Sequence, residues 1–284
     1  MCGVKVLEAG PKIAILPRVS TDFHTHTPLC HHAEGTPEQY LTAAKAANLT
    51  EYGISDHAPH CPEPFDDWRM AMSDLPAYLD WIAEARNFAG NELPVRAGLE
   101  CDWLTGCESH IAHLRNYHDW DYLIGSVHYL PGKTGQRWDF DNPAHLSQWK
   151  NLSPSELEEL WQVYWETYTE MVRADLFEIH GHPDLIKKFA FTPTGDLRRF
   201  YQPTIEALAA TGRAFEINTA GWHKPCAEQY PASEFLTLAA EAQIPVYLNS
   251  DAHAPHEVAR DFEKAEPLIK QLNLNIQYQL ANKR

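Results

Sequence analysis

Short apolar runs ending in polar residues alternate with amphipathic stretches along almost the whole chain, and this alternation leaves few folds open. Residues 19–24, 51–57, 94–100, 122–128, 176–182, 214–219 and 245–251 have strand character. Helical spacing fills the gaps. Thr36 with Pro37 opens a helix over 36–47, and Leu75, Tyr78, Leu79, Ile82 and Ala85 follow Ser73 or Asp74 as cap. Further helices are predicted over 109–117, over 153–174 from a Ser153–Glu156 capping box, over 202–211 closed by Gly212, and over 233–243 and 257–272. Seven strand–helix units in strict order predict a parallel sheet. Right-handed crossovers close it most simply into a seven-stranded relative of the TIM barrel. An open doubly wound sheet is the alternative, but no glycine-rich loop follows the first run, which disfavours a dinucleotide fold. One domain spanning 1–284, with its core over about 20–272, accommodates the pattern, and 273–284 reads as either an extra strand or a tail. The stretch 131–150 is too long for an ordinary connection and suits a lid over the barrel mouth.

Composition narrows the classes. With 44 % hydrophobic and 22 % charged residues the chain is globular in character, and no apolar run of 18 residues offers a membrane span. Two apolar patches near the N-terminus are broken by Gly10, Pro11 and Lys12, unlike a signal peptide. A formal charge of −16 works against binding to nucleic-acid backbone. The six cysteines form no CxxC pair and read as reduced thiols, so the expected compartment is the cytoplasm. Nothing in the pattern fixes an oligomeric state.

Histidine is the unusual residue, with 16 copies, and it gathers at strand ends. The first run ends in His24-x-His26, the second in Asp56-His57, the third in Glu100, the fourth in His128, the fifth in His180-x-His182 and the seventh in Asp251-x-His253. An H-x-H pair on an extended segment puts both imidazoles on one side, because side chains alternate with period two. Singly, each residue has an ordinary explanation in a solvated strand end or a hydrogen-bonded core histidine. Together at the C-terminal end of a barrel, where such folds carry their chemistry, they point to two or more metal ions.

These same residues carry a family resemblance. Asp22-Phe-His24-Thr-His26, His32, Ser55-Asp56-His57, Gly98-Leu-Glu100, Gly125-Ser-Val-His128, Gly181-His182-Pro-Asp184 and Asn249-Ser-Asp251-Ala-His253 resemble, in order and spacing, the motifs of the polymerase-and-histidinol-phosphatase (PHP) superfamily. Trp138-Asp-Phe-Asp141, Asp184-Leu-Ile-Lys187-Lys188 and Glu216-Ile-Asn218 are similar to the histidinol-phosphatase branch. The resemblance implies a distorted (β/α)7 barrel holding three divalent ions, whether zinc, manganese or iron. His24, His26, Glu100 and Asp251 would hold the first; Glu100 would bridge to a second held by His128 and His182; His32, His57 and His253 would hold the third. His32 is preferred to His31 for its offset from His26, and His60, His180, His223 and His256 fall outside the set.

The activity implied is phosphomonoester hydrolysis by a metal-held hydroxide, with Asp251 orienting it and Glu100 sharing the catalytic centre. L-histidinol phosphate, in histidine biosynthesis, is the expected substrate; another small phosphomonoester or a nucleotide is the alternative. Lys187, Lys188, His223 and Lys224 are expected to grip the phosphate, although His223 stands where the branch tends to place arginine. Trp138, Asp141 and Glu216 are expected to meet the imidazole and ammonium of the substrate. The remaining tryptophans, among them Trp161 and Trp165, read as core.

Overall fold

A computed structural model describes residues 20–132 and 137–281; the N-terminal apolar patches, Cys2, Val19 and part of the 131–150 excursion lie outside the described residues. The strands are β1 (Thr21–Asp22), β2 (Glu51–Ile54), β3 (Val95–Ala97), β4 (Glu100–Asp102), β5 (Ile124–Ser126), β6 (Tyr129–Pro131), β7 (Arg137–Asp139), β8 (Ile179–His180), β9 (Ala214–Asn218), β10 (Pro245–Asn249) and β11 (Asn275–Ile276). The helices are α1 (Pro37–Ala46), α2 (Leu75–Ala89), α3 (Glu108–Tyr117), α4 (Leu146–Lys150), α5 (Pro154–Arg173), α6 (Arg198–Thr211), α7 (Ser233–Glu241) and α8 (Phe262–Leu272).

Strands β1-β2-β3 pair in one parallel group and β4-β5-β8-β9-β10-β11 in another. Two isolated bridges join the groups into a ring. His57 bridges to Glu100, so β3 and β4 are halves of one strand interrupted at Gly98 and Leu99. Thr25 bridges to Ala252, with the His26 amide donating to the Ala252 carbonyl at 2.9 Å. The result is the distorted seven-stranded barrel. Its breaks fall where β1 and β3 give way to ligand-bearing segments.

The barrel interior is filled by Phe23, Tyr122, Ile124, Ile179, Ala214 and Tyr247. Tyr122 explains two glycines: a Cβ on Gly53 would lie 2.3 Å from its hydroxyl, and one on Gly98 would lie 2.6 Å from its ring. The outer layer is helical. Helix α5 buries Trp161, Tyr164, Trp165, Tyr168 and Val172; Trp161 packs on Phe200 of α6 and Trp165 on Tyr201 of α6 and Phe235 of α7, so both tryptophans are core, each side chain contributing roughly 2–3 kcal/mol by burial.

Several boundaries differ from the sequence reading. The first strand is only two residues long, because the chain must leave the sheet to present His24 and His26. Helix α6 starts at Arg198 rather than at 202, which leaves Pro203 inside the helix instead of at its first turn. Helix α8 starts at Phe262 rather than at 257, because Asp261 takes a left-handed conformation (φ 61°) that ends the preceding turn. The 131–150 excursion contains β7, which pairs antiparallel with β6 just before it, and helix α4, and Trp149 donates its indole N–H to the Phe140 carbonyl at 2.7 Å. The terminal segment includes an extra strand: β11 pairs with β10, and the Tyr247 hydroxyl donates to the Gln279 carbonyl.

Candidate active site

All nine residues expected as metal ligands converge at the C-terminal mouth of the barrel. Glu100 is the hub. Its Oε1 lies 3.0 Å from His182 Nε2 and 3.7 Å from His128 Nε2. Its Oε2 lies 2.8 Å from His57 Nδ1, 3.4 Å from His24 Nε2 and 3.7 Å from His26 Nε2. Asp251 Oδ1 approaches His26 Nε2 at 3.0 Å. The His253 ring stacks on His26 with centroids 3.9 Å apart, and the His32 ring lies 4.7 Å from that of His253. His31 points elsewhere, its Nδ1 on the Asp67 carbonyl, so His32 is the residue that joins the cluster.

The outer ring nitrogens are anchored. Nδ1 of His24 faces both oxygens of Glu216 at 3.0 Å, that of His26 faces Asp56 at 3.2 Å, and that of His128 faces Asp102 at 2.8 Å. Nδ1 of His32 and His253 rests on the carbonyls of Cys30 and Asp251. A carboxylate or carbonyl behind an imidazole fixes its tautomer and turns its other nitrogen inward, as metal-binding histidines require. Two of the converging residues sit on backbone with positive φ, His182 at 24° and Asp251 at 56°. Non-glycine residues hold such conformations only when their surroundings impose them. The hydroxyls of Tyr168 and Tyr164 on α5 supply that constraint around His182, donating to the carbonyls of Gly181 and Pro183 at 2.9 and 2.8 Å.

The charge arrangement favours cations. Burial alone would raise the Glu100 carboxyl, but His57, His24 and His128 hold it well below its ordinary range. Burial pushes His57 down to about 4. Burial also depresses His26 and His128, yet Asp251 and Asp56 for the first, and Asp102 and Glu100 for the second, bring each up to about 9. The local field therefore calls for positive charge, which protons or metal ions can supply. His24 Nε2, His57 Nδ1 and Glu100 Oε2 are buried and crowd one another, yet none meets a partner in hydrogen-bonding geometry. Buried polar atoms rarely go unpaired, and lone pairs converging on one point fit divalent cations. Close donor triads are His24/Glu100/His182, His24/His26/Asp251 and His26/His57/His253. His24 and His26 each belong to two of them, so the separate ligand sets drawn from sequence run into one another.

Above the hub opens a cavity of about 510 Å³ whose wall includes Trp68, Asp141, Lys188, Lys224, Tyr230 and Arg260. Lys188 Nζ pairs with Asp141 at 2.8 Å, so these two expected contacts and Lys224 do border the cavity. Four others do not. Lys187 is only 3 % exposed, and its ammonium is consumed by Asp184 at 2.9 Å, Glu228 at 2.7 Å and the Gln229 carbonyl. Glu216 is wholly buried behind His24, where it also accepts from the His182 amide, Asn218 and Asn249. His223 turns outward to Asp261 at 2.6 Å. Trp138 packs on Trp149 with ring centroids 5.2 Å apart, holding the hairpin down.

Sequence reasoning missed Arg260, Trp68 and Asp102. Asp102 had a usable signal, since it lies two residues beyond Glu100 on the same strand and so on the same face. Arg260 and Trp68 lie in loops and had none.

This is the architecture of a metal-dependent barrel enzyme. Residues 22–220 match the PHP domain family, and the chain belongs to it. A Deinococcus radiodurans protein provisionally named a histidinol-phosphatase is 41 % identical over 251 residues, 88 % of this chain and 92 % of that one. The histidinol-phosphatase of Bacillus subtilis is 27 % identical over 262 residues, 85 % of this chain and 96 % of that one. Among solved structures, a Listeria monocytogenes protein provisionally named a histidinol phosphatase superposes with a TM-score of 0.77 at 27 % identity, covering 86 % of this chain and 99 % of that one. The Lactococcus lactis histidinol phosphate phosphatase, solved with Zn, L-histidinol and phosphate, shares the fold with a TM-score of 0.72 at 20 % identity, covering 93 % of this chain and 99 % of its own.

Proposed function

We propose that the chain is a metal-dependent phosphomonoesterase that hydrolyses L-histidinol phosphate to L-histidinol and phosphate, as a step of histidine biosynthesis. The observation that carries this reading is the cavity over Glu100, where cationic Lys188, Lys224 and Arg260 share the wall with Asp141 and the flat face of Trp68. The three cations suit a phosphate dianion. Asp141, kept below its ordinary range by Lys188 against the effect of burial, suits an ammonium, and the indole suits an imidazole.

His24, His26, Glu100, Asp251, His128, His182, His32, His57 and His253 would hold three divalent ions of the zinc, manganese or iron type. Such ions supply the positive charge that ionises a water near neutral pH and that offsets the phosphoryl oxygens. The chain's own residues do the rest. Asp251, fixed by Asn218 Nδ2 on Oδ2 at 3.0 Å, borders the cavity, where it would orient the attacking hydroxide. The anchored imidazoles keep the donor set rigid, so little reorganisation accompanies the reaction. The described cysteines are all free, in accord with a cytoplasmic enzyme. No helix of the described residues is long and apolar enough to cross a membrane.

The test is kcat/KM of metal-reconstituted protein on L-histidinol phosphate against a panel of small phosphomonoesters and nucleotides. A preference of about a hundredfold, roughly 2.7 kcal/mol of transition-state discrimination, is expected. A flat profile, or a preference for nucleotides, overturns the substrate assignment.

A further inference from the structure

A second group of metal-type donors lies outside the main centre. His60 and Cys61 follow β2 on the loop beyond His57, and His110 sits in the first turn of α3. One ring nitrogen from each histidine and the Cys61 sulfur lie within 4.8 Å of one another. The two rings are neighbours, with centroids 4.9 Å apart and planes tilted by 43°.

The backbone sets the tautomers. Nδ1 of His60 lies 3.1 Å from the Cys61 carbonyl, and Nε2 of His110 lies 2.9 Å from the Pro59 carbonyl. A carbonyl only accepts, so both of these nitrogens carry the proton and the opposite nitrogen of each ring offers a lone pair. This is the arrangement that orients histidines toward a metal. His60 is 4 % exposed, and its Nε2 is buried with no hydrogen-bond partner. Cys61 is a free thiol open to solvent.

We propose that His60, Cys61 and His110 form a separate site for a thiophilic divalent cation of the zinc class. One thiolate and two neutral imidazoles select a borderline-soft ion over magnesium or calcium. A tetrahedral zinc needs donors about 3.5 Å apart, within reach of small side-chain rotations here, and its fourth position is left to water. The consequence is mechanical. The loop that carries His60 and Cys61 continues to Asp67 and Trp68 on the cavity wall. A cation at this site ties that loop to α3 and stiffens one side of the substrate cavity. The site stands on its own residues and does not depend on the substrate assigned to the main centre.

The experiment uses the full chain with its main centre loaded with zinc and the excess removed. Titration with Co²⁺ is expected to give thiolate-to-cobalt absorption saturating at one equivalent. The absorption is lost in Cys61→Ser and in His110→Ala, and kept in Cys30→Ser. In the unsubstituted protein, one equivalent of added zinc is expected to slow iodoacetamide alkylation of Cys61, mapped by peptide mass, by about tenfold. Absorption that survives Cys61→Ser, or a Cys61 alkylation rate that zinc leaves unchanged, overturns the proposal.

Discussion

Nη1 of Arg69 lies 2.8 Å from Oδ2 of Asp102, and both side chains are buried. The other Asp102 oxygen holds His128 Nδ1, so a guanidinium on a loop far along the chain positions an imidazole of the metal centre. Removing the guanidinium leaves a buried carboxylate without its counter-charge. Arg69→Met is expected to cost about 3–5 kcal/mol of stability and to weaken metal binding about 10–100-fold. Competition with a chelator of known affinity measures the second effect, and Arg69→Lys should restore part of it. Metal affinity equal to that of the unsubstituted protein would remove the positioning role.

Asp251→Asn keeps the shape of the side chain but loses its negative charge and one of its two accepting oxygens. Turnover should fall to a few per cent or less while the circular dichroism spectrum stays unchanged. Greater residual activity would show that Asp251 does not orient the hydroxide.

Stripping the metals should lower the melting temperature, because Glu100 and its imidazoles then face one another without cations. Binding to the native state alone stabilises by RT ln(1 + [L]/Kd), about 4 kcal/mol at a thousandfold excess over Kd. Calorimetry of chelated and reloaded protein checks this, and equal melting points would mean that the centre is not a metal site.

The proposed phosphate contacts line the cavity wall, whereas Lys187 and His223 lie off it. Lys224→Ala and Arg260→Ala are each expected to reduce kcat/KM about 10–100-fold, the loss of one charge-assisted hydrogen bond. His223→Ala, facing Asp261, should stay within about twofold. Lys187→Ala should instead appear as about 3 kcal/mol of lost stability in urea melts, because it abandons the buried Asp184. Unaltered kinetics for both Lys224→Ala and Arg260→Ala would move the phosphate elsewhere.

His180 offers a pH test of packing. It is fully buried, burial pulls it down to about 4 from 6.5, and its Nδ1 faces the Ala214 carbonyl at 3.0 Å. Between those values the unfolded chain takes up a proton that the folded chain refuses, so this residue destabilises the protein progressively as pH falls from 6.5 to 4. Relative to His180→Leu, unsubstituted protein should lose up to about 3 kcal/mol across that window, followed by denaturant titrations at each pH. A constant difference would mean that His180 ionises alike in both states.

The order of strands and helices was legible because burial imposes period two on one and 3.6 on the other, and those periods are local. The convergence at the mouth was legible too: a barrel gathers its strand ends at one mouth, so His24, Glu100, His128, His182 and Asp251 could be expected to meet before any distance was known. What the tertiary structure alone decided is which charged side chain near that mouth enters the cavity and which is spent within the scaffold. Lys187 and Lys188 are neighbours in sequence, yet one is buried against Asp184 and Glu228 and the other borders the cavity with Asp141. Glu216 reads like a substrate contact and lies behind His24 instead, while Arg260 has no pattern to announce it. Partners for a charged group come from segments far apart in the chain. Sequence therefore fixes the kind of chemistry at the mouth, and the packing of loops across it determines which charges reach the substrate.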